Sequence, residues 1–372
     1  MTLRFPDSVD APAFLAHYWQ RQSLLLPAAI RLSDLLAPEE LAGLACEAGV
    51  EARIVHSPPH AWQVRHGPFT PGDFEQLPDS GWTLLVQDVD KYVPAVADLL
   101  QHFSFLPSWR IDDIMVSYAA PGGTVGPHID EYDVFLIQGH GTRTWETGAG
   151  SDECVTDLPL RVLAEFDARQ SWTLNPGDVL YLPPGLAHHG HSDTACMTYS
   201  VGFRAPSIAE MLLSQAEHKA SGAAGRYRDA DLTSAEADDG LISKAAIDRA
   251  LAQLPVTGES AETAIIWFGS LVTDNKAWLL PAAPEATESS AEFGARMRSG
   301  SALYKHPAVR MAHTDFPGAG LLFVDGAAWP LPIAMPAAAL CRGDAASGNT
   351  EEVLVLLYKL YCDGKLYWAG DA

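Results

Sequence analysis

Apolar positions along the chain change their period several times. In residues 14–26 they follow helical spacing and then close up into Leu24-Leu25-Leu26, which predicts a short helix followed by a strand. Residues 35–48 predict a second helix, with Pro38, Glu39 and Glu40 near its start, where proline and acidic residues are best tolerated. From 82 to 204 the texture turns to short β-like runs, at 82–87, 114–119, 132–137, 143–146, 171–174, 179–182 and 197–203, separated by Gly and Pro clusters. Short strands with turn signals between them predict a closed barrel or sandwich.

A boundary follows at Ala205-Pro206. Ser207 and Glu210 make an S-x-x-E capping box ahead of a helix over 211–219: the hydroxyl satisfies an early helix amide while the carboxylate reaches back. Residues 221–240 are polar and acidic, and 241–254 return to helical spacing until Pro255 stops them. Residues 261–271 predict another helix, 281–290 a mobile stretch, and Asp325-Gly326 and Asp363-Gly364 the turns of two hairpins. The division is a barrel over 1–206, a helical connector over 207–257 and a winged-helix-like module over 258–372.

The composition, 48% hydrophobic and 19% charged over 372 residues, excludes a disordered or low-complexity chain. A formal charge of −23 repels nucleic acid and anionic membranes and favours a basic partner. Only −5 of it lies in 258–372, yet a DNA-reading wing needs a basic face, so that module is expected to serve protein contacts or assembly. Five scattered cysteines without a C-x-x-C pair indicate a reducing cytoplasm, and no export signal or membrane span is expected.

Candidate chemistry concentrates in two segments. In Gly122-Gly123-Thr124-Val125-Gly126-Pro127-His128-Ile129-Asp130, residues two apart on a strand share a face, so His128 and Asp130 can hold one ion. The stretch from Gly177 to His188 fits G-x5-P-x-G-x2-H, the second cupin motif, whose Gly and Pro residues bend one strand into the next and deliver a histidine. Two imidazoles and one carboxylate form the facial triad of non-heme iron(II) oxygenases, with open positions for cosubstrate and dioxygen. His189 and His191 rival His188, but motif spacing selects His188; alternation turns His189 away and leaves His191 exposed or beside a ligand. An open iron site needs an electron-donating cosubstrate. Arg143, the sole Lys or Arg between His128 and Arg161, could bind the far carboxylate of a 2-oxo dicarboxylate, or simply be a surface residue. Ser200 and Thr198 could add a hydroxyl.

These segments, with Tyr199-Ser200-Val201-Gly202-Phe203-Arg204-Ala205-Pro206, resemble the bacterial ribosomal oxygenases of the JmjC, cupin-like class over most of 1–206 and more loosely beyond. The resemblance implies a mixed α and β chain: a double-stranded β-helix barrel, a helical dimerisation region giving a homodimer, and a winged-helix-like C-terminal domain. It implies Fe(II), 2-oxoglutarate and dioxygen, and hydroxylation of an arginine β-carbon in large-subunit ribosomal protein sixteen. Residue by residue it carries the metal-ligand role to His128, Asp130 and His188, and 2-oxoglutarate binding to Arg143 and Ser200. An arginine substrate calls for acidic neighbours, for which Asp112, Asp113, Glu131 and Asp133 are candidates. Two alternatives stand beside it: N-methyl demethylation by the same chemistry, and a metal-binding regulatory cupin with a DNA-reading winged helix.

Overall fold

The structure, a computed structural model, describes residues 3–370 except 7–8, 33–34, 59–60, 152, 156–157, 159, 225, 227, 229–246, 249, 251, 253–260, 285–286 and 315–319. Most of the helix predicted over 241–254 and most of the polar stretch over 221–240 lie outside the described residues.

Twelve strands build the first part of the chain: β1 (Leu24–Leu26), β2 (Ala52–His56), β3 (Gln63–His66), β4 (Trp82–Val86), β5 (Ile111–Ala119), β6 (His128–Ile129), β7 (Asp133–His140), β8 (Arg143–Gly150), β9 (Phe166–Leu174), β10 (Val179–Leu182), β11 (Ala187–His191) and β12 (Cys196–Phe203). They form an eight-stranded sheet, in the order β1-β10-β7-β12-β5-β4-β2-β3, facing a four-stranded sheet, β6-β11-β8-β9. Every pairing is antiparallel. The β-like runs predicted between Gly and Pro clusters correspond to β4, β5, β7, β8, β9, β10 and β12, whereas β2, β3, β6 and β11 escape that pattern.

Alternation along the large sheet sorts its side chains into two cores. Phe135, Ile137, Val179, Tyr181, Ile114 and Val116 point outward, where they pack with Phe14, Phe103 and Phe203. Val134, Leu136, Leu180 and Leu182 point inward with Trp145 and Leu174. Both faces of β7 and β10 are therefore covered, which is why these strands read as unbroken apolar runs. Each fully buried aromatic contributes about 1.5–3 kcal/mol relative to an exposed one. The outer core is closed by short helices α1 (Ala11–His17) and α2 (Pro38–Leu44), the latter beginning at Pro38 and shorter than its predicted span.

Two more short helices, α3 (Pro71–Glu75) and α4 (Pro94–Ala97), precede β5. After the barrel comes α5 (Ile208–Ser221), which starts at the expected box: Ser207 Oγ accepts from Glu210 N–H and the Glu210 carboxylate accepts from Ser207 N–H. Then follow α6 (Ala261–Thr273), α7 (Ser290–Arg298), β13 (Leu303–Lys305), β14 (Met311–His313), β15 (Leu321–Val324), β16 (Ala327–Pro330), α8 (Ala337–Arg342), α9 (Glu351–Cys362) and β17 (Leu366–Trp368). Asp325-Gly326 does turn a hairpin, between β15 and β16, and both residues have positive φ, 45° and 81°, as a primed turn demands. Asp363-Gly364 does not: it ends α9, and β17 pairs instead with β13. No described helix is long and apolar enough to cross a membrane.

The C-terminal part docks on the strand side of the barrel through charge. Lys276 Nζ lies 2.6 Å from Asp88 Oδ2, Arg310 Nη1 lies 2.8 Å from Asp112 Oδ1, and Arg310 Nη2 donates to Ile111 O at 2.9 Å. Trp109 meets Phe268 edge-on at 5.8 Å. Asp113, beside these acids, accepts from Asp88 N–H at 2.9 Å. Burial, reinforced by Asp88, lifts its carboxyl to about 7. An acid whose folded pKa is raised favours folding below its ordinary range and loses that contribution as pH rises through the folded value. Asp113→Asn keeps an acceptor for Asp88 N–H and removes the charge. It is expected to raise Tm over wild type more at pH 8 than at pH 4, and equal shifts at both pH values in thermal melts would refute the assignment.

Candidate metal and oxo-acid site

The site lies inside the barrel, on the inner face of the small sheet. His128 and His188 sit directly opposite each other on β6 and β11, and Asp130 follows β6 by one residue. The two rings are 4.2 Å apart, and Asp130 Oδ2 lies 4.0 Å from His128 Nε2 and 3.7 Å from His188 Nε2. Ligand atoms at these separations can surround a single ion.

Local backbone sets the tautomers. His128 Nδ1–H donates to Gly126 O at 3.0 Å, and His188 Nδ1–H donates to Leu186 O at 3.0 Å. Both Nε2 lone pairs are thereby left bare toward Asp130, as metal-ligating histidines require. Burial lowers the His188 pKa to about 3, with His128 adding to the effect, so this imidazole stays neutral. Burial raises the Asp130 carboxyl, against the pull of His128, a hydrogen bond from Tyr132, and Arg53 of β2.

Arg143 is not a surface residue. It is 3% exposed, and cross-strand pairing puts it on the inner face with Trp145, Thr147, His188 and Gly190. Its guanidinium lies 4.7 Å over the Trp145 ring, and Nη2 donates to Gly190 O at 3.3 Å. No carboxylate pairs with it among the described residues, and its Nε–H and the Trp145 Nε1–H are buried without acceptors. Burial lowers its pKa, yet a guanidinium keeps its proton in proteins. The pocket therefore offers a fixed cation and two orphaned donors. Gly190 makes the room: a Cβ there would lie 2.6 Å from the Trp145 ring and 2.8 Å from Arg143 Nε.

Parity distributes the remaining candidates. Ser200 pairs with Leu136 and Met115, which turns it into the barrel, and Thr198 Oγ1 bonds Gln138 Oε1 at 3.3 Å. Asp113 also faces inward, since its carboxylate lies beside Gly202 and Tyr132. Glu131 is exposed. Two of the expected substrate contacts are engaged within the chain instead. Asp133 shares the outward parity of Phe135 and Ile137, is fully buried, and is engaged by Tyr181 OH at 2.6 Å, Gln20 Nε2 at 2.9 Å and Arg110 Nη2 at 3.1 Å. Asp112 has the outward parity of Ile114 and is taken by Arg310. Sequence reasoning missed Trp145, Gly190, Tyr132 and Arg53. The alternation of β8, with Arg143, Trp145 and Thr147 on one side, was the available signal for Trp145.

His189 and His191 both turn to the outer face of β11, where His189 opposes Glu146 and His191 opposes Thr144. His191 therefore keeps company with His189 and stands apart from the iron-type triad.

Comparison with known proteins agrees with this geometry. The JmjC domain family matches residues 98–211. The Escherichia coli K12 ribosomal protein uL16 3-hydroxylase is 35% identical over 317 residues, covering 84% of this chain and 82% of that protein. A probable ribosomal oxygenase of Haemophilus influenzae is 36% identical over 213 residues, 56% of this chain and 52% of its own. The X-ray structure of E. coli YcfD superposes with a TM-score of 0.86 at 31% identity, covering 99% of this chain and all of that one. The ribosomal oxygenase YcfD in complex with cobalt and 2-oxoglutarate superposes with a TM-score of 0.83, also at 31% identity and with 99% of each chain covered. A barrel with a His-Asp-His face and an unpaired buried arginine, joined to this similarity along most of its length, makes the chain a member of the JmjC-domain ribosomal oxygenase family.

Proposed function

We propose that the protein is an Fe(II)- and 2-oxoglutarate-dependent hydroxylase that acts on the 3-position of an arginine in ribosomal protein uL16. The observation that carries the reading is Arg143, a guanidinium sealed in the barrel without an anion, on the same inner face as the His128, Asp130 and His188 donor set. The name of the E. coli relative, a uL16 3-hydroxylase, supports the substrate, and the cobalt and 2-oxoglutarate complex of YcfD supports the cofactors.

His128, Asp130 and His188 would hold the iron through Nε2, Oδ2 and Nε2. When bound, iron and 2-oxoglutarate supply activation of dioxygen coupled to oxidative decarboxylation of the oxo acid to succinate. The chain's residues bind and orient. Arg143 would receive the far carboxylate through charge-assisted bonds, giving its orphaned Nε–H an acceptor. Ser200, turned inward from β12, would add a hydroxyl to the same carboxylate. Trp145 holds the guanidinium plane and keeps water from it. Asp113 and Glu131 are the acids left to receive a substrate guanidinium, and a cation beside Asp113 would return its carboxyl to the charged form. Hydroxylation and N-methyl demethylation differ in outcome: a one-oxygen gain on the protein, or loss of a methyl group as formaldehyde.

The same reading divides the chain at 1–206, 207–257 and 258–372. Ile208, Leu212 and Leu213 of α5 are 70%, 60% and 64% exposed and form an apolar stripe that supports a homodimer through the connector. Helices with the β15–β16 hairpin support a winged-helix-like tail, and its net charge of −5 argues against DNA contact. A cytoplasmic location follows from a ribosomal protein substrate.

Anaerobic loading with Fe(II) and 2-oxoglutarate, then oxygen and uL16, is expected to give a one-oxygen gain on an arginine peptide by mass spectrometry. His128→Ala should abolish it, and an undiminished gain would sink the proposal. Arg143→Lys is expected to raise the KM for 2-oxoglutarate about 10–150-fold, the equivalent of losing a charged hydrogen bond of about 1.5–3 kcal/mol. Gly190→Ala should raise the same KM with the fold retained by circular dichroism. An unchanged KM in both variants would remove Arg143 from the cosubstrate site.

A further inference from the structure

β11 carries a second constellation on its other face. Glu146 of β8 and His189 and His191 of β11 each present a ligand atom within 4.8 Å of the other two. His189 Nδ1 lies 3.7 Å from Glu146 Oε2, too far for a hydrogen bond and suited to two ligands on one ion. The two imidazole rings are 5.4 Å apart. The other nitrogen of His189, Nε2, lies 3.0 Å from Thr124 Oγ1, which accepts Gly126 N–H at 3.0 Å. That contact fixes the ring and, with Nε2 as donor, leaves Nδ1 bare toward Glu146, the outer hydrogen bond typical of a metal-ligating histidine. His191 Nδ1 is buried without a hydrogen-bond partner, an unusual state for a polar atom unless something else satisfies it. Side-chain exposures of 23% for His189 and 30% for Glu146 leave a path from solvent.

We propose that Glu146, His189 and His191 form a second divalent-cation site, able to take Zn2+, on the outer face of the sheet that holds the iron-type triad. Two imidazoles, one carboxylate and a water complete a tetrahedral zinc shell. The ion ties β11 to β8, the strands that carry His188 and Arg143, and so braces the inner site from behind. A simple His–Glu ion pair would leave the orphaned His191 nitrogen unanswered.

The test is metal counting on tag-free full-length protein titrated with Zn2+, by equilibrium dialysis and elemental analysis. Wild type is expected to hold two equivalents, and His128→Ala/Asp130→Ala and Glu146→Gln/His191→Asn one each. Retention of two by the inner variant, with loss of one by the outer variant, would reject the triad while leaving this site standing. Thr124→Val should weaken the outer equivalent about 10–100-fold. In the inner variant, zinc X-ray absorption should show two imidazoles, a readout that stands even if the outer variant misfolds. One equivalent in wild type that the inner variant loses, a second equivalent that survives Glu146→Gln/His191→Asn, or an absorption spectrum without paired imidazoles would overturn the proposal.

Discussion

A cation held in a protein interior without a counter-ion is the constraint on which this barrel turns. Taking a guanidinium out of water costs several kcal/mol unless its charge and its donors are answered. A lysine in that place would shed its proton, whereas arginine cannot, so the charge of Arg143 persists. The aromatic face of Trp145 and the carbonyl of Gly190 answer part of it. What they leave, one positive charge and unfilled N–H groups beside a His-Asp-His cluster, is the chemical outline of a carboxylate ligand that also reaches a metal.

The legible parts of the molecule were those whose signal is local. His128, Asp130 and His188 stand in motifs whose spacing alone dictates geometry, and the strands with one clear alternation declared themselves. β11 did not, because Ala-His-His-Gly-His has no apolar beat to follow. The outward direction of Asp133 and Asp112 was hidden for a different reason. β7 is covered on both faces, so its unbroken apolar run cannot say which parity looks into the barrel, and nearness in sequence to a ligand says nothing of direction. Asp-Gly at 363–364 shows that the same dipeptide stops a helix as readily as it turns a hairpin. The burial of Arg143 belongs to the assembled fold and could be read from the chain only as the scarcity of other cations.

The charge distribution also takes on a different meaning. The excess acid of residues 1–257 looked available to a basic partner, yet Asp88 and Asp112 are engaged by Lys276 and Arg310 of the tail. Part of the acidity therefore fastens the chain to itself. Asp325, at the β15–β16 turn, works the same way: one oxygen accepts from Asn275 and from Arg310 N–H, while the other meets Lys365. The arginine that reaches the barrel is thus anchored at its own backbone by the hairpin turn.

Gly190 has one more implication. A strand with polar groups on both faces is open to slippage, and a shift of one residue exchanges its sides. In β11 that slip would push a histidine ring into the space Arg143 and Trp145 occupy, where even a methyl group would have to displace them. The absent side chain is therefore a key that admits a single alignment of the strand, and it keeps the two metal-capable faces of one five-residue segment from trading places.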